Sequence, residues 1–143
     1  MWIEREIYHS QFQYRRINRH VTTIISVDGK DLTKYLKDEG YDVEWYDLSL
    51  ESGRNAKGDM HYNPVAEKYK IILHTRPMSG EELIEFFSTI KILKTLSVTF
   101  FNPYTGQQMT TDCYRGDRKI TMKWNRNDKG ILYNTTDISL IEL

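Results

Sequence analysis

Several residue types that would mark a particular class of protein are scarce in this chain of 143 residues. A single cysteine, Cys113, makes an intrachain disulfide impossible and gives no sign of an oxidising compartment. No stretch approaches the roughly 18 consecutive apolar residues of a membrane-spanning helix, and residues 1–10 carry charges where a signal peptide has its apolar core. We therefore expect a soluble protein that is made in the cytoplasm.

Neither sign of charge is in excess, because Lys and Arg total 20 and Asp and Glu also total 20. A neutral chain has no overall basic field that would attract nucleic acid. Locally the charge is uneven: residues 28–51 hold eight acids and three lysines, whereas residues 115–129 hold six basic residues and two acids. These two regions could pair between copies of the chain, although an ordinary mixed surface produces the same pattern.

Motifs that carry chemistry are also missing. The sequence contains no glycine-rich phosphate loop, no HExxH and no pair of Cys or His at metal-binding spacing, and its four histidines are scattered. Cys113 falls in phase with Met109, so we expect a small core residue rather than a nucleophile. The sequence predicts no catalytic residue, no metal and no cofactor.

Alternating apolar residues predict strands through the first half of the chain. Residues 21–27 are β-branched and end at Asp28–Gly29, a turn signal. In residues 41–50 the alternation changes phase, which predicts a β-bulge near Trp45–Tyr46. Residues 65–74 predict a half-buried strand with its basic side chains on the outer face.

The period then changes to that of a helix over residues 79–94. Ser79 and Glu82 have the spacing of a capping box, in which two side chains satisfy free backbone N–H groups at a helix start. One face of this helix is heavily apolar, which predicts packing on a sheet. The residues of that face are Leu83, Phe86, Phe87 and Ile90.

Strands return after the helix. Residues 96–101 and 109–113 alternate on either side of the turn sequence 102–106, which predicts a hairpin. The Arg-Gly-Asp at 115–117 is expected to be a turn, and further strand patterns end with Ile138 and Leu140. Strands, one helix and more strands without βαβ repetition predict an antiparallel α+β domain, a small sandwich or barrel carrying one helix.

The domain organisation is correspondingly simple. Residues 1–20 fit neither period and contain a basic cluster, and we interpret them as an N-terminal arm. Residues 21–143 form one domain, and a long polar hairpin loop at 51–64 connects two of its predicted strands. A compact monomer has little use for so long a loop.

Four segments in this order, SGRNAKGDM, EKYKIILHTRPMSGEELIEFF, VTFFNPYTGQQMTTDCYRGDR and ISLIEL, resemble a family of small tail proteins from long-tailed phages and prophages of Gram-positive bacteria. Asn102 stands where the family pattern has Asp, and residues 1–20 have no counterpart in it. The matching positions are Asp28, Gly29, Gly53, Arg54, Asn55, Ala56, Gly58, Lys70, Ser79, Glu82, Pro103, Thr105, Gly106, Tyr114, Gly116, Asp117 and Arg118.

The resemblance implies a non-enzymatic structural protein of the virion tail with a tail-tube-like fold. Such a protein would self-assemble or dock in a ring, as the tail tube, the tube terminus or an adaptor. A six-fold ring is favoured, and the partners would be other copies of the chain and other tail proteins, without a membrane and with nucleic acid only passing through a tube. Two different patches on each subunit would form a heterologous contact, and repetition of this contact would close into a ring. Their candidate residues are Gly53, Arg54, Asn55, Gly58 and Met60 in the loop, and Arg115, Asp117, Arg118, Lys119 and Lys123 in the basic region.

Two other classes of function remain open. A phage-encoded modulator of one host protein would also be small, soluble and neutral, and it would be a monomer or dimer with one tight partner. A nucleic-acid-binding module could use the ten tyrosines and three tryptophans to stack bases, and its affinity would fall steeply with salt.

Overall fold

The structure is a computed structural model that describes residues 20–49, 53–54, 58, 60–61, 64–90 and 95–143. Apart from His20, the predicted N-terminal arm lies outside the described residues, as do Asn55 and the predicted helical residues 91–94. Within the described part of the chain are twelve strands, one α-helix and one 3-10 turn. The strands are β1 (Ile25–Val27), β2 (Lys30–Asp31), β3 (Leu36–Ser49), β4 (Gly53–Arg54), β5 (Met60–His61), β6 (Pro64–Thr75), β7 (Met78–Ser79), β8 (Leu96–Asn102), β9 (Gln107–Arg115), β10 (Met122–Arg126), β11 (Gly130–Tyr133) and β12 (Asp137–Glu142); the helix α1 is Gly80–Ile90, and the 3-10 turn is Thr33–Tyr35.

Every strand pair is antiparallel. Seven strands form the main sheet in the order β2-β1-β8-β9-β12-β6-β3, and three form a second sheet in the order β10-β11-β7. The terminal strands β2 and β3 of the main sheet do not pair with each other, so the sheet is not a closed barrel. The predicted antiparallel α+β fold is therefore confirmed in its sandwich-like form.

The main sheet curves strongly over its core. The Tyr41 hydroxyl on β3 donates to the carbonyl of Phe101 on β8, although three strands separate β3 from β8 in the sheet. The Tyr104 hydroxyl, in the turn that follows β8, donates to the Val43 carbonyl on β3 at 2.9 Å and joins the same two parts of the sheet. Side chains rather than a backbone ladder thus join β3 to β8 and to the turn that follows β8.

Alternate strand residues and one face of the helix fill the core. Phe86 and Ile90 of α1 are buried, with Leu83 and Phe87 packed against the same cluster, as the helical spacing predicts. Cys113 is fully buried, in agreement with its predicted role as a small core residue. The other fully buried apolar residues are Ile25, Val27, Leu32, Tyr35, Ile71, Leu73, Met78, Leu96, Val98, Phe100, Ile138 and Leu140.

The predicted capping box is present at the start of α1. The Ser79 hydroxyl accepts the backbone N–H of Glu82 at 3.4 Å, and the Glu82 carboxylate accepts the backbone N–H of Ser79 at 3.3 Å. Arg76 also donates to the Glu82 carboxylate. This hydrogen bond holds the pKa of Glu82 below its ordinary value and keeps the box charged.

The turn predicted at Asp28–Gly29 is confirmed, but the strand before it is shorter than predicted. Asp28 and Gly29 have φ angles of 51° and 83°, the positive pair that a type I′ hairpin turn requires. The strand covers only Ile25–Val27, because the Thr33 hydroxyl rather than a neighbouring strand accepts the N–H of Ile24 at 2.9 Å.

The bulge predicted near Trp45–Tyr46 is wrong. The pairing of β3 with β6 runs in one register from Tyr41–Leu73 to Leu48–Ala66 and is irregular only before Tyr41 and after Leu48. The apolar pattern changes phase because this part of β3 has large side chains on both faces, Trp45 on one and Leu48 on the other. Both are about half exposed, at 49% and 47%.

Candidate functional site

The β3–β6 hairpin extends beyond the sheet that it belongs to. Strand β12 pairs with β6 only between His74 and Lys70, and its end then contacts β6 through the Glu142 carboxylate, which accepts the Tyr69 N–H at 2.9 Å, and the Leu143 carbonyl, which accepts from Lys68. In the described residues beyond Lys68, the ladder has only the two strands β3 and β6. Beyond the irregular Ser49–Pro64 pair, β4 and β5 form a separate two-stranded ladder with Gly53 opposite His61. The predicted polar loop at 51–64 therefore contains the outer end of a two-stranded ribbon.

The predicted interface residues of the loop lie on this ribbon. Gly53 and Arg54 form β4, and Met60 lies in β5 opposite Arg54. Gly58 is exposed and has a φ of 84°, a conformation open to glycine and strained for other residues. Asn55 lies outside the described residues.

An aromatic cluster marks the point where the ribbon leaves the sheet. The Trp45 ring stacks on Tyr69 with a centroid distance of 6.1 Å and contacts Tyr104 at 5.5 Å. Tyr69 in turn contacts the buried ring of Phe100 at 5.7 Å. Trp45 and Tyr104 nevertheless remain 49% and 53% exposed, so the core ends in an open aromatic surface. Sequence periodicity placed these aromatics on strands but did not bring them together.

The predicted basic residues begin at the end of β9, inside the main sheet, and continue toward the end of the sheet at which Thr75 lies. Arg115 ends β9 opposite Leu140, and the backbone N–H of Gly116 continues the contact with the Ser139 carbonyl at 2.8 Å. The predicted turn at Arg-Gly-Asp is wrong: Arg115 is the last residue of β9, and Gly116 and Asp117 lie in an irregular segment that contains no turn, because the chain continues beside β12. The exposed side chains of this segment and of the start of β10 are Asp117, Arg118, Lys119, Thr121, Met122 and Lys123.

Arg115 thus lies at the level of Ile71, only two residues along β6 from Tyr69, whereas Lys119 lies at the far end of β6 from the ribbon. The Lys119 carbonyl accepts the Thr136 hydroxyl, and Thr136 is bonded to Thr75 at the last residue of β6. The ribbon begins near Tyr69 and continues past Pro64, the first residue of β6. At about 3.3 Å per strand residue, Thr75 and Glu67 are about 25 Å apart along β6.

His74 forms a cluster that the sequence did not indicate. Its Nδ1 lies 2.6 Å from Asp137 Oδ1 and its Nε2 lies 2.6 Å from Asp42 Oδ2, so one imidazole joins β12, β6 and β3. The hydrogen bonds to Asp137 and Asp42 raise the pKa of His74. The sequence predicted only a solvated histidine on the outer face, because its two partners are 63 and 32 residues away in the chain.

The described residues provide little reactive chemistry. They contain no group of three or more His, Cys, Asp or Glu side chains that could hold a metal ion. Burial raises the pKa of the Cys113 thiol to about 12, which leaves it protonated and unreactive at neutral pH. In the same residues, no helix combines the length and apolarity needed to cross a bilayer.

Comparison with known proteins gives one match. No curated protein and no solved structure matches the chain. Residues 22–143 match the profile of DUF6711, a family of unknown function. The match begins two residues after the predicted N-terminal arm ends. Because this match covers far more than half of the sequence, the chain belongs to the DUF6711 family.

Proposed function

We propose that this protein is a non-enzymatic structural component of a phage tail that assembles with other copies of itself into a ring. The observation that carries the proposal is that one molecule exposes two different surfaces, the ribbon that begins near Tyr69 and the basic segment that reaches the Thr75 end of β6 at Lys119. A contact between two different surfaces on identical subunits is heterologous, and it closes into a ring when the rotation between neighbours allows it. The resemblance of the four sequence segments to small tail proteins supplies the assignment to a tail.

The two-stranded ribbon supports assembly on physical grounds. A hairpin without a third strand or a covering layer is at best marginally stable in water, because it buries little apolar surface. Beyond Lys68, which still contacts the Leu143 carbonyl, the described part of the hairpin has only its own two strands. A neighbouring subunit would supply the missing layer, so ordering of the ribbon and association of subunits would stabilise each other.

The chemical character of the described side chains agrees with a structural role. Among the described residues the sole cysteine is buried and protonated, and the His74 imidazole is occupied by two carboxylates. The exposed features are instead an aromatic surface, a basic surface and a protruding ribbon. Each of these is a feature by which proteins contact one another.

Light scattering of the purified protein over a concentration series tests this proposal. We expect a concentration-dependent increase in molar mass that reaches a closed ring, with six copies the favoured number. A variant in which residues 52–60 are replaced by Asn-Gly should fold but remain smaller, because it lacks the outer ribbon. A wild-type protein that stays monomeric at every concentration would contradict self-assembly and favour the modulator of a host protein.

A further inference from the structure

Strand β3 forms an open edge of the main sheet. No described strand pairs with its outer side, and its pairing with β6 is regular from Tyr41 to Leu48. On the far side of β6, the Glu142 carboxylate accepts the Tyr69 N–H at 2.9 Å, so the backbone groups of Tyr69 point away from β3. Trp45 lies opposite Tyr69, and its own N–H and carbonyl therefore point away from β6, toward the open edge.

This edge has little built-in protection against an added strand. Proteins usually protect an exposed edge with lysine, proline, a bulge or a covering segment. Residues 41–48 contain acids but no lysine or proline, and their pairing with β6 has no bulge. Trp45 and Leu48 are each about half exposed, on opposite faces of the strand. A covering segment is the remaining means of protection.

The chain enters the fold beside this edge. The Ile24 carbonyl accepts the Phe101 N–H at 2.8 Å, and the Phe101 carbonyl accepts the Tyr41 hydroxyl of β3. Because β1 and β8 are antiparallel, the residues before Ile24 continue toward the turn after β8, where the Tyr104 ring contacts Trp45 at 5.5 Å. The N-terminal arm therefore joins the domain within a few residues of the open edge.

The length and direction of the N-terminal arm suit this edge. Its residues 1–19 lie outside the described residues and would span about 60 Å as an extended chain. The Tyr104 hydroxyl occupies the Val43 carbonyl, so the open part of β3 is residues 45–49, which span about 17 Å. Strand β3 runs away from the point at which the arm joins the domain. An arm laid along β3 is therefore antiparallel to it, like every described strand pair.

The sequence of the arm also matches the two faces of β3. The aromatic residues of the arm all occupy even positions and are Trp2, Tyr8, Phe12 and Tyr14. In an extended chain they share one face, and Arg15 and Arg19, at odd positions, share the other. On β3, Trp45 and Glu44 likewise lie on opposite faces. One register therefore places the aromatic residues beside Trp45 and the arginines beside Glu44.

We propose that residues 1–19 of the N-terminal arm add to β3 of the same chain as an antiparallel strand and cover the open edge of the main sheet. Backbone hydrogen bonds to Trp45, aromatic cross-strand pairs and arginine–carboxylate pairs stabilise the contact. The inference goes beyond the proposed function and does not depend on it. An added strand covers an edge and not a face, so the faces of the ribbon stay open to a neighbouring subunit.

Amide hydrogen exchange in the full chain tests this contact at Trp45. Without an added strand, its outward N–H exchanges like a solvated amide, so protection in the wild type is the expected result. The double variant Phe12→Ser, Tyr14→Ser should exchange about tenfold faster at this position, because it loses the aromatic pairs that hold the arm. The matched control is Gln11→Ser, Gln13→Ser, which changes the opposite face of the arm and should leave the rate unchanged.

The amide of Tyr46 serves as the internal reference. It points toward β6 and should exchange at the same rate in all three proteins, which shows that the domain stays folded. The family profile begins at residue 22, so these substitutions lie outside the shared fold. Fast exchange at Trp45 in the wild type overturns the proposal. An unchanged rate at Trp45 in the double variant also overturns it.

Photo-cross-linking provides a second test, which separates the arm of the same chain from other occupants. A benzophenone amino acid replaces Tyr14, and mass spectrometry of the irradiated protein locates the cross-link. A link to residues 43–49 within one chain supports the proposal. A link between two chains, or to another part of the same chain, overturns it. The result is read for each subunit, so it stands apart from the outcome of the light-scattering test of assembly.

Discussion

His74 and Asp137 face each other directly across strands β6 and β12, and 2.6 Å separates Nδ1 of the imidazole from Oδ1 of the carboxylate. Asp42 on β3 holds the other ring nitrogen at the same distance. The imidazole can donate to both carboxylates only when both of its nitrogens carry a proton. The charged form of His74 therefore fastens the edge strand β3, from which the ribbon projects, to the centre of the sheet.

The first prediction concerns pH. The hydrogen bonds to Asp137 and Asp42 raise the folded-state pKa of His74 above the value of about 6.5 expected in the unfolded chain. The contribution of His74 to stability is therefore complete below pH 6.5 and is lost as pH rises through the raised pKa. Chemical denaturation between pH 5.5 and 8 should show a free energy of unfolding that falls with pH in the wild type.

His74→Gln is the control for that prediction. It removes the titrating group, and we expect it to cost about 1 kcal/mol at pH 5.5, since both carboxylates are largely exposed and solvent weakens the pairs. The difference between wild type and variant should shrink as pH rises. A difference that stays constant across this range would show that the charge of His74 contributes nothing.

The second prediction concerns Gly40. A Cβ atom at this position would lie 2.3 Å from the backbone carbonyl oxygen of His74 and 2.7 Å from that of Lys37, and backbone atoms cannot move aside cheaply. Gly40→Ala should destabilise the protein by about 3 kcal/mol in urea denaturation. The control is Gly29→Ala, which meets no atom within 4 Å and is strained only by its φ of 83°, at a cost of about 1 kcal/mol. Equal costs for the two variants would refute the close approach of β3 to β6.

The third prediction concerns the start of the helix. Ser79→Ala removes the hydroxyl that accepts the Glu82 N–H and should lower the free energy of unfolding by about 1 kcal/mol. Ser88→Ala in the same helix is the control, because its hydroxyl donates only to the Glu85 carbonyl of the preceding turn and alanine is the better helix former. Thermal unfolding of both variants distinguishes a capping role of Ser79 from a general preference of the helix for alanine over serine. The capping role fails if Ser79→Ala is no less stable than Ser88→Ala.

The fourth prediction concerns Cys113. The thiol is fully buried and burial raises its pKa to about 12, so iodoacetamide at pH 8 should leave the folded protein unmodified. In urea the same residue should be alkylated at the rate of an ordinary thiol. Mass spectrometry follows both reactions. Rapid modification of the folded protein would show an accessible thiolate and reopen a chemical role for this residue.

The sequence by itself determined the local elements of this protein. The type I′ turn at Asp28–Gly29, the capping box at Ser79 and Glu82, and the apolar face of α1 each depend on residues close together in the chain. Their physical causes are backbone sterics, hydrogen bonds to free N–H groups and helical period, all of which a short window of sequence contains. The antiparallel α+β class followed from the order of these elements.

Only the tertiary structure decided how distant segments meet. Trp45, Tyr69 and Tyr104 form one cluster because the sheet curves, and His74 finds its two carboxylates because β3 and β12 flank β6. The prediction of a bulge at Trp45–Tyr46 was wrong for a related reason. Periodicity shows which side chains are apolar, but it does not show whether other residues cover the second face of a strand. The position of the basic segment after β9 relative to the ribbon likewise depends on strand order, which is set by long-range pairing and packing rather than by local sequence.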